Sequence, residues 1–268
     1  MGGSAKAGFS FDTCLRGRAW QMAVRRIISL ATYNESGNLR PLVAEIRKYL
    51  PDADILVIDD NSPDGTGKIA DELAATMGKM HVIHRPGKLG LGTAVLTGMR
   101  FAVENGYDYL INMDADFSHP PRFLPDLAAG AAKGWDVTIG SRYIKGGGIA
   151  GEQFNLKRKF MSGGINTYAR FWLGLNSRDN SGSYRCYSTK TLKRIPFNKI
   201  RSRGYSFMEE ILYWCSAAGA KIGETPIVFE NRREGVSKIN KMEAVHALRI
   251  IAELGVGRAM GLDYARVD

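Results

Sequence analysis

The sequence predicts an α/β fold, with a mainly parallel central sheet flanked by helices. Three observations carry this prediction. Strand-like and helix-like segments alternate in order from Arg25 to Gly140, the strand segments are short continuous apolar runs, and polar clusters follow them. Such alternation favours parallel strands joined by right-handed helical crossovers on both faces of the sheet. Strands buried on both faces lose the polar–apolar alternation of a half-exposed sheet.

Arg25–Ala31 (RRIISLA) and Asp54–Asp59 (DILVID) read as the first two strands, with an amphipathic helix over about Leu39–Leu50 between them. The turn-rich DNSPDGTG leads into a second helix, about Thr66–Met77. Lys79–His84 is the third strand, Gly92–Asn105 the third helix, Asp108–Met113 the fourth strand, Pro121–Lys133 the fourth helix and Asp136–Gly140 the fifth strand. Pro120 and Pro121 begin the fourth helix, where a missing N–H costs nothing. Beyond Gly146, Phe160–Gly174 and Phe207–Gly219 read as helical, Ser181–Ser188 as extended and Lys221–Phe229 as a strand. From Ile239 to Leu254 apolar residues recur every three positions, with Lys238, Lys241 and Arg249 on the other side. That is an amphipathic helix, packed on the domain's own core or docked to a membrane or partner.

The expected organisation is therefore a tail over residues 1–23, a main α/β domain over 24–238, and a C-terminal amphipathic helix and tail over 239–268. A 268-residue chain that is 44% hydrophobic has the composition of an ordinary globular protein. Its net charge of +10 favours an anionic partner: nucleic acid, a phosphorylated small molecule or an acidic membrane surface. Cys14, Cys186 and Cys215 are widely spaced and form no CxxC, which argues against a zinc site or disulfide framework and fits a reducing cytoplasm. No apolar run is long enough to span a bilayer, and no signal peptide is evident. Lys6 stands where a myristoylation motif needs Ser or Thr.

In parallel sheets of this kind ligands bind beyond the carboxyl ends of the strands. TYNE, DDNSPD, DAD and SRY follow strands one, two, four and five, so four polar clusters converge on one edge. Asp114 and Asp116, at i and i+2, can share one cation or divide a cation and a sugar between them. Oxygen ligands suit Mg²⁺ or Mn²⁺, which bridge protein carboxylates and diphosphate. A carboxylate at Asp60 can accept hydrogen bonds from a nucleotide's ribose or base, whereas Asp64 in NSPDG can simply serve a turn. Arg142, Arg158, Arg232, Arg233 and Lys238 supply cations able to clamp a second phosphate. There is no P-loop, no GxGxxG in a strand-to-helix setting, no GxSxG elbow and no ligand spacing among the four histidines.

ATYNE, VIDDNSPDGTG, GKLGLGTA, MDADFSHPP, IGSRY, SGSYRCY and GVSK occur in an order that resembles the dolichyl-phosphate (polyprenol monophosphate) mannose synthases, within the family 2 inverting glycosyltransferases. The resemblance covers about Arg25 to Lys238. It implies a GT-A type fold, GDP-mannose as donor, Mg²⁺ or Mn²⁺, a polyprenyl (dolichyl) phosphate acceptor and a β-mannosyl phosphoryl lipid product. By motif position Tyr33, Glu35, Ile58 and Asp60 would line the guanosine pocket. Asp114 and Asp116, with the Ala115 backbone and with Ser118 as a further metal-ligand candidate, would hold metal and diphosphate. Arg142, Arg158 and Ser162 would meet the acceptor phosphate, Arg142 also belonging to the donor side. Arg232 and Lys238 would close over the nucleotide. Asp116, Arg142 and Arg158 are then the catalytic set.

Ala31 replaces the family's usual proline and Val236 its usual glutamate, changes that touch donor handling and loop closure. The competing readings are a family 2 transferase using UDP-glucose or UDP-N-acetylglucosamine, and a non-catalytic basic module for membrane or nucleic acid. Acids interleaved at the strand ends speak against the last, and no nucleic-acid partner is expected. A chain ending at Asp268 resembles the short catalytic form of the family. That form works peripherally on the cytosolic face of a membrane, alone or with small membrane-spanning partner subunits.

Overall fold

The computed structural model of the protein describes residues 24–150, 156–230 and 241–261. Strand β1 (Arg26–Thr32), helix α1 (Ser36–Tyr49), β2 (Asp54–Asp59), α2 (Thr66–Thr76), β3 (Met80–His84), α3 (Leu91–Glu104) and β4 (Tyr109–Asp114) follow in strict alternation. Helix α4 (Leu124–Ala129) is a short α-turn between 3₁₀ turns at Pro121–Phe123 and Gly130–Lys133, so the expected fourth helix is composite. Then come β5 (Val137–Ser141), β6 (Gly148–Ile149), α5 (Leu156–Leu173), β7 (Arg185–Ser188), α6 (Thr189–Leu192), α7 (Phe207–Ala217), β8 (Ile222–Pro226), β9 (Val228–Phe229) and α8 (Lys241–Ala259).

Among the described residues seven strands form one sheet in the order β3-β2-β1-β4-β7-β5-β8, in which β7 alone runs antiparallel to its neighbours; β6 and β9 pair separately. Successive strand residues point to opposite faces. Leu56 and Ile58 accordingly enter a core with α3, α5, α7 and α8, while Ile55 and Val57 enter a second core with α1, α2 and α4. Each fully buried Leu, Ile or Val contributes roughly 1.5–3 kcal/mol. Two packed faces are what fix the continuous apolar runs of β1, β2 and β4.

Helix α1 starts at Ser36, three residues before the apolar pattern suggests, because the Glu35 carbonyl accepts from both Asn38 and Leu39 N–H and the Glu35 carboxylate accepts from Asn38 Nδ2 at 2.8 Å. The stretch read as extended over Ser181–Ser188 is a strand only from Arg185. Ahead of it backbone groups bond to side chains instead: Gly182 N–H donates to Asp179, and Asn180 N–H to Asn166 on α5. The single strand expected over Lys221–Phe229 divides at Pro226, which has no N–H to continue a ladder, so β8 ends the main sheet and β9 joins β6. On α8, Ile251 and Leu254 are buried while Val245 and Leu248 face outward. The amphipathic helix thus packs on the core through one face and leaves a second apolar stripe uncovered. Among the described residues no helix is long and apolar enough to cross a membrane.

Candidate active site

The carboxyl ends of β1, β2, β4 and β5 open onto one edge of the sheet, and the loops after them are stitched together by side chains. After β1, Asn34 N–H donates to Ser62 Oγ, Glu35 N–H to Thr66 Oγ1 and Ser36 N–H to Asp64 Oδ2. Asp64 also accepts from Thr66 N–H and Oγ1, and so serves the turn. Burial pushes its carboxyl up, but the hydrogen bonds from Thr66 and Ser36 outweigh that and hold it below the usual carboxylate range. Asp59 is likewise occupied, accepting from Thr32 Oγ1, Ser62 N–H and Ser62 Oγ.

Asp60 has a partner that the sequence did not suggest. The Arg85 guanidinium lies against it, with Nε to Oδ1 at 2.5 Å and Nη2 closer still, and the two side chains are 7% and 9% exposed. Arg85 also donates to Thr93 Oγ1 at 2.7 Å, tying Asp60 to the start of α3. Tyr33 is exposed at the mouth of this region, with Lys88 Nζ 4.5 Å above its ring. Ile58, assigned to the same pocket by motif position, must be corrected. Strand alternation sends its side chain into the core facing α3, fully buried, and only its carbonyl accepts a bond from Thr32 Oγ1 on the neighbouring strand.

At the end of β4 the acidic pair is built with care for each oxygen. Ser183 Oγ donates to Asp114 Oδ1 at 2.9 Å, and the Asp114 carboxylate keeps 25% of its surface exposed. Asp116 is buried, and its Oδ1 accepts from Ser118 N–H at 3.0 Å and Ser118 Oγ at 2.5 Å. Phe117 between them adopts a left-handed backbone, φ 64°, an uncommon conformation for a bulky residue and a sign of local constraint. Ser118 itself is fully buried and spends its hydroxyl proton on Asp116, so it orients that carboxylate.

His119 lies behind this pair, buried and stacked on Tyr184 at 4.7 Å. Its Nδ1 accepts the Asp114 backbone N–H at 3.0 Å, which requires a lone pair on that nitrogen and puts the proton on Nε2. Burial holds the imidazole below its ordinary value despite Asp114 and Asp116, so the approach of Nδ1 to Asp114 Oδ2 is no ion pair at neutral pH. Sequence spacing gave this histidine no role; in the structure it supports the carboxylate strand end.

Arg142, after β5, is gripped by Asp179. Its backbone N–H, Nε and Nη2 all donate to that carboxylate, at 3.0, 2.7 and 2.7 Å, and Nη2 also reaches Ser181 Oγ. Asp179 is fully buried. Burial would raise its carboxyl, but the guanidinium and its hydrogen bonds prevail and lower it. Arg142 is raised for the matching reason: Asp179 outweighs the cost of desolvating the cation. Arg158 and Ser162 fall within the first turns of α5, at positions whose side chains are not among those described. Arg232, Arg233 and Lys238 lie outside the described residues. Tyr33, Glu35, Asp60, Asp114, Ala115, Asp116 and Arg142 thus occupy the strand end and loops at one sheet edge.

A family model described as Glycosyl transferase family 2 matches residues 28–195. The chain is 40% identical over 244 residues to the polyprenol monophosphomannose synthase of Mycolicibacterium smegmatis, covering 90% of each protein. It is 41% identical over 217 residues to the undecaprenyl-phosphate mannosyltransferase of Micrococcus luteus, covering 81% of this chain and 88% of that one. Among solved structures, the glucosyl-3-phosphoglycerate synthase of Mycobacterium tuberculosis with Mn²⁺, UDP and glucosyl-3-phosphoglycerate superposes with a TM-score of 0.60 at 16% identity, over 89% of this chain and 81% of that one. The same enzyme with Mg²⁺ and UDP gives 0.58, at 16% identity, over 89% and 80%. At that identity the likeness is one of fold.

Proposed function

The chain belongs to glycosyl transferase family 2, and from that premise we propose that it transfers mannose from GDP-mannose to a polyprenyl phosphate such as dolichyl phosphate, with inversion at the anomeric carbon. The observation that carries the reading is the oriented carboxylate pair, Asp114 and Asp116, at the sheet edge beside the Arg142–Asp179 pair. Its support from relatives is the two mannosyltransferases at about 40% identity.

The residues fit a divalent cation. Two carboxylates are hard oxygen donors, and Mg²⁺ binds one or two of these with its other positions filled by water and substrate phosphate. Among the described residues no group of three or more His, Cys, Asp or Glu could hold an ion by itself, which suits a site completed by the donor's diphosphate. Structures of the same fold hold Mn²⁺ or Mg²⁺ with UDP. Asp114 and Asp116, with the Ala115 backbone, would hold Mg²⁺ or Mn²⁺ and the diphosphate. When bound, the cation offsets negative charge on the departing diphosphate.

Tyr33, Glu35 and Asp60 face the nucleoside, and Arg142 the acceptor phosphate; motif position gives Arg158 and Ser162 to the same acceptor. A phosphate monoester is already nucleophilic at neutral pH, so the protein's task is alignment. One acceptor oxygen bonds to the anomeric carbon from the face opposite the leaving group. The bond from that carbon to the diphosphate oxygen breaks, and its electron pair leaves with GDP. No histidine base is required, in keeping with a buried His119 held by backbone.

The lipid acceptor implies work at a membrane surface, on the cytosolic face where nucleotide sugars occur, alone or with small membrane-spanning partners. The uncovered stripe of α8 and the chain's positive charge favour that docking. The test is transfer of radiolabelled mannose from GDP-mannose to dolichyl phosphate in detergent with Mg²⁺ or Mn²⁺, comparing the native chain with Asp116→Ala. Lipid-extractable label lost in the variant supports reaction and site. Transfer only from UDP-glucose or UDP-N-acetylglucosamine overturns the donor, and no transfer from any donor overturns the reading.

A further inference from the structure

Four buried polar atoms that lack a hydrogen-bond partner belong to side chains gathered in one region of the fold. Ser29 pairs with Asn112 between β1 and β4, and Asn112 with Arg185 between β4 and β7, so the three form a row across the sheet. Ser29 Oγ, Asn112 Oδ1, Arg185 Nε and, from the first turn of α7, Glu209 Oε2 are four of the six such atoms among the described residues, Arg26 Nε and Ser202 Oγ being the others. Glu209 is 4% exposed. With Oε2 unpartnered, an ionised carboxylate so placed is costly, whereas a protonated one is far less costly to bury.

Arg185 connects this row to the phosphate side of the cleft. Its Nη1 donates to the Met208 carbonyl at 2.7 Å, next to Glu209, and its Nη2 to the Asn180 carbonyl at 2.6 Å, next to Asp179. Asp179 in turn grips Arg142. The charged groups that face Glu209 are Arg185 on β7, Asp179 in the loop before it and Arg142 after β5. Its helix neighbour Glu210 is turned to the backbone N–H groups of Arg201 and Ser202. Asp114 also acts on Arg142, and the Glu224 carboxylate accepts from the Asp179 backbone N–H. Ionisation of Glu209 adds one more negative charge beside this cluster and so opposes an incoming anion, whereas the neutral form adds none.

We propose that Glu209 is a positioning residue for the acceptor subsite, acting through the Arg185–Asp179–Arg142 cluster so that its neutral form favours capture of a phosphate monoester and its anionic form weakens it. This rests on the reading that Arg142 meets the acceptor phosphate. Burial pushes the Glu209 carboxyl up to about 7, with Asp179 adding to the rise and its own backbone N–H, Arg185 and Arg142 opposing it. The group is therefore neutral on the acid side of physiological pH and charged on the alkaline side. A unit charge at roughly 10 Å in a medium of effective dielectric about 20 changes anion affinity by about tenfold.

The experiment measures KM for a short-chain polyprenyl phosphate, and kcat, from about pH 6 to about pH 8 in the native chain and in Glu209→Gln. The acceptor's own ionisation is common to both proteins and cancels in the ratio. The native-to-variant KM ratio is expected to stay near one at the acid end and to rise roughly 3- to 10-fold at the alkaline end, with the kcat ratio flat. A loss of the protonated-carboxyl infrared band over the same range, seen in the native chain and missing from the variant, is the independent sign that Glu209 titrates. A flat KM ratio with transfer intact overturns the role of Glu209 alone. Absence of transfer by both proteins overturns the proposed function and this proposal with it. Circular dichroism of Glu209→Gln matching the native chain excludes misfolding as the source of a change.

Discussion

Replacing Asp179 by asparagine keeps the shape of the side chain and removes its charge, which isolates what that charge does for Arg142. In the native chain the carboxylate accepts from Arg142 Nε and Nη2, both at 2.7 Å, and from the Arg142 and Gly182 backbone N–H groups at 3.0 Å. Hydrogen bonds to charged groups contribute about 1.5–3 kcal/mol each, and stripping one partner from a buried ion pair costs about 3–5 kcal/mol, because the other charge stays buried. Asn offers one acceptor oxygen and turns an N–H₂ toward guanidinium donors. The expected loss in urea unfolding is therefore about 3–5 kcal/mol, or a melting temperature lower by roughly 6–15 °C for a chain of this size. Arg142→Gln and the double variant complete the cycle, with an expected coupling of about 2–3 kcal/mol. A loss below about 1 kcal/mol, or strict additivity, refutes the assignment of this pair as a mutual buried anchor. The pH dependence has a definite sign. The Asp179 carboxyl is lowered in the folded state, so its contribution is present above its unfolded value, about 3.9, and is lost as pH falls through the folded one. The native chain should accordingly show an acid-unfolding limb that is flatter in Asp179→Asn.

Arg85→Met leaves the buried Asp60 carboxylate without its guanidinium and should cost about 3 kcal/mol, a cost that Asp60→Asn in the same chain partly restores; melting curves of the three variants decide it. Phe171 and Met260, 77% and 67% exposed, belong with Val245, Leu248 and Val256 to apolar surface on α5 and α8. Phe171→Asp should change stability by no more than about 0.5 kcal/mol yet reduce co-sedimentation with anionic liposomes, and undiminished binding would count against docking through this face. Ser183→Ala removes the hydroxyl that holds Asp114 Oδ1 and should weaken the Mn²⁺ dependence of transfer by several-fold; an unaltered metal titration sinks the idea that Ser183 fixes that carboxylate.

What the sequence made legible follows a simple division between local and non-local physics. Strand ends, and with them Asp60, Asp114, Asp116 and Arg142, could be read because an apolar run followed by polar residues is a pattern within ten positions. The antiparallel course of β7 could not, since four buried residues look alike in either direction and only their neighbours on β4 and β5 fix the pairing. The same reason hid the groups that hold the site in place. Arg85 lies 25 residues from Asp60 and Asp179 lies 37 from Arg142, with no local pattern linking either pair. Ile58 errs in the opposite direction. Motif position assigned it to the ligand, but a period of two places it on the face of β2 that it shares with Leu56, toward α3. A motif names the stretch of chain that reaches a site, whereas the strand's alternation decides which of its side chains arrive there. Of the motif's carboxylates, Asp59 and Asp64 are spent on the fold's own hydroxyls and amides. The carboxylates proposed to meet the ligand are ones whose positions a second side chain fixes: Asp60 by Arg85, Asp114 by Ser183 and Asp116 by Ser118.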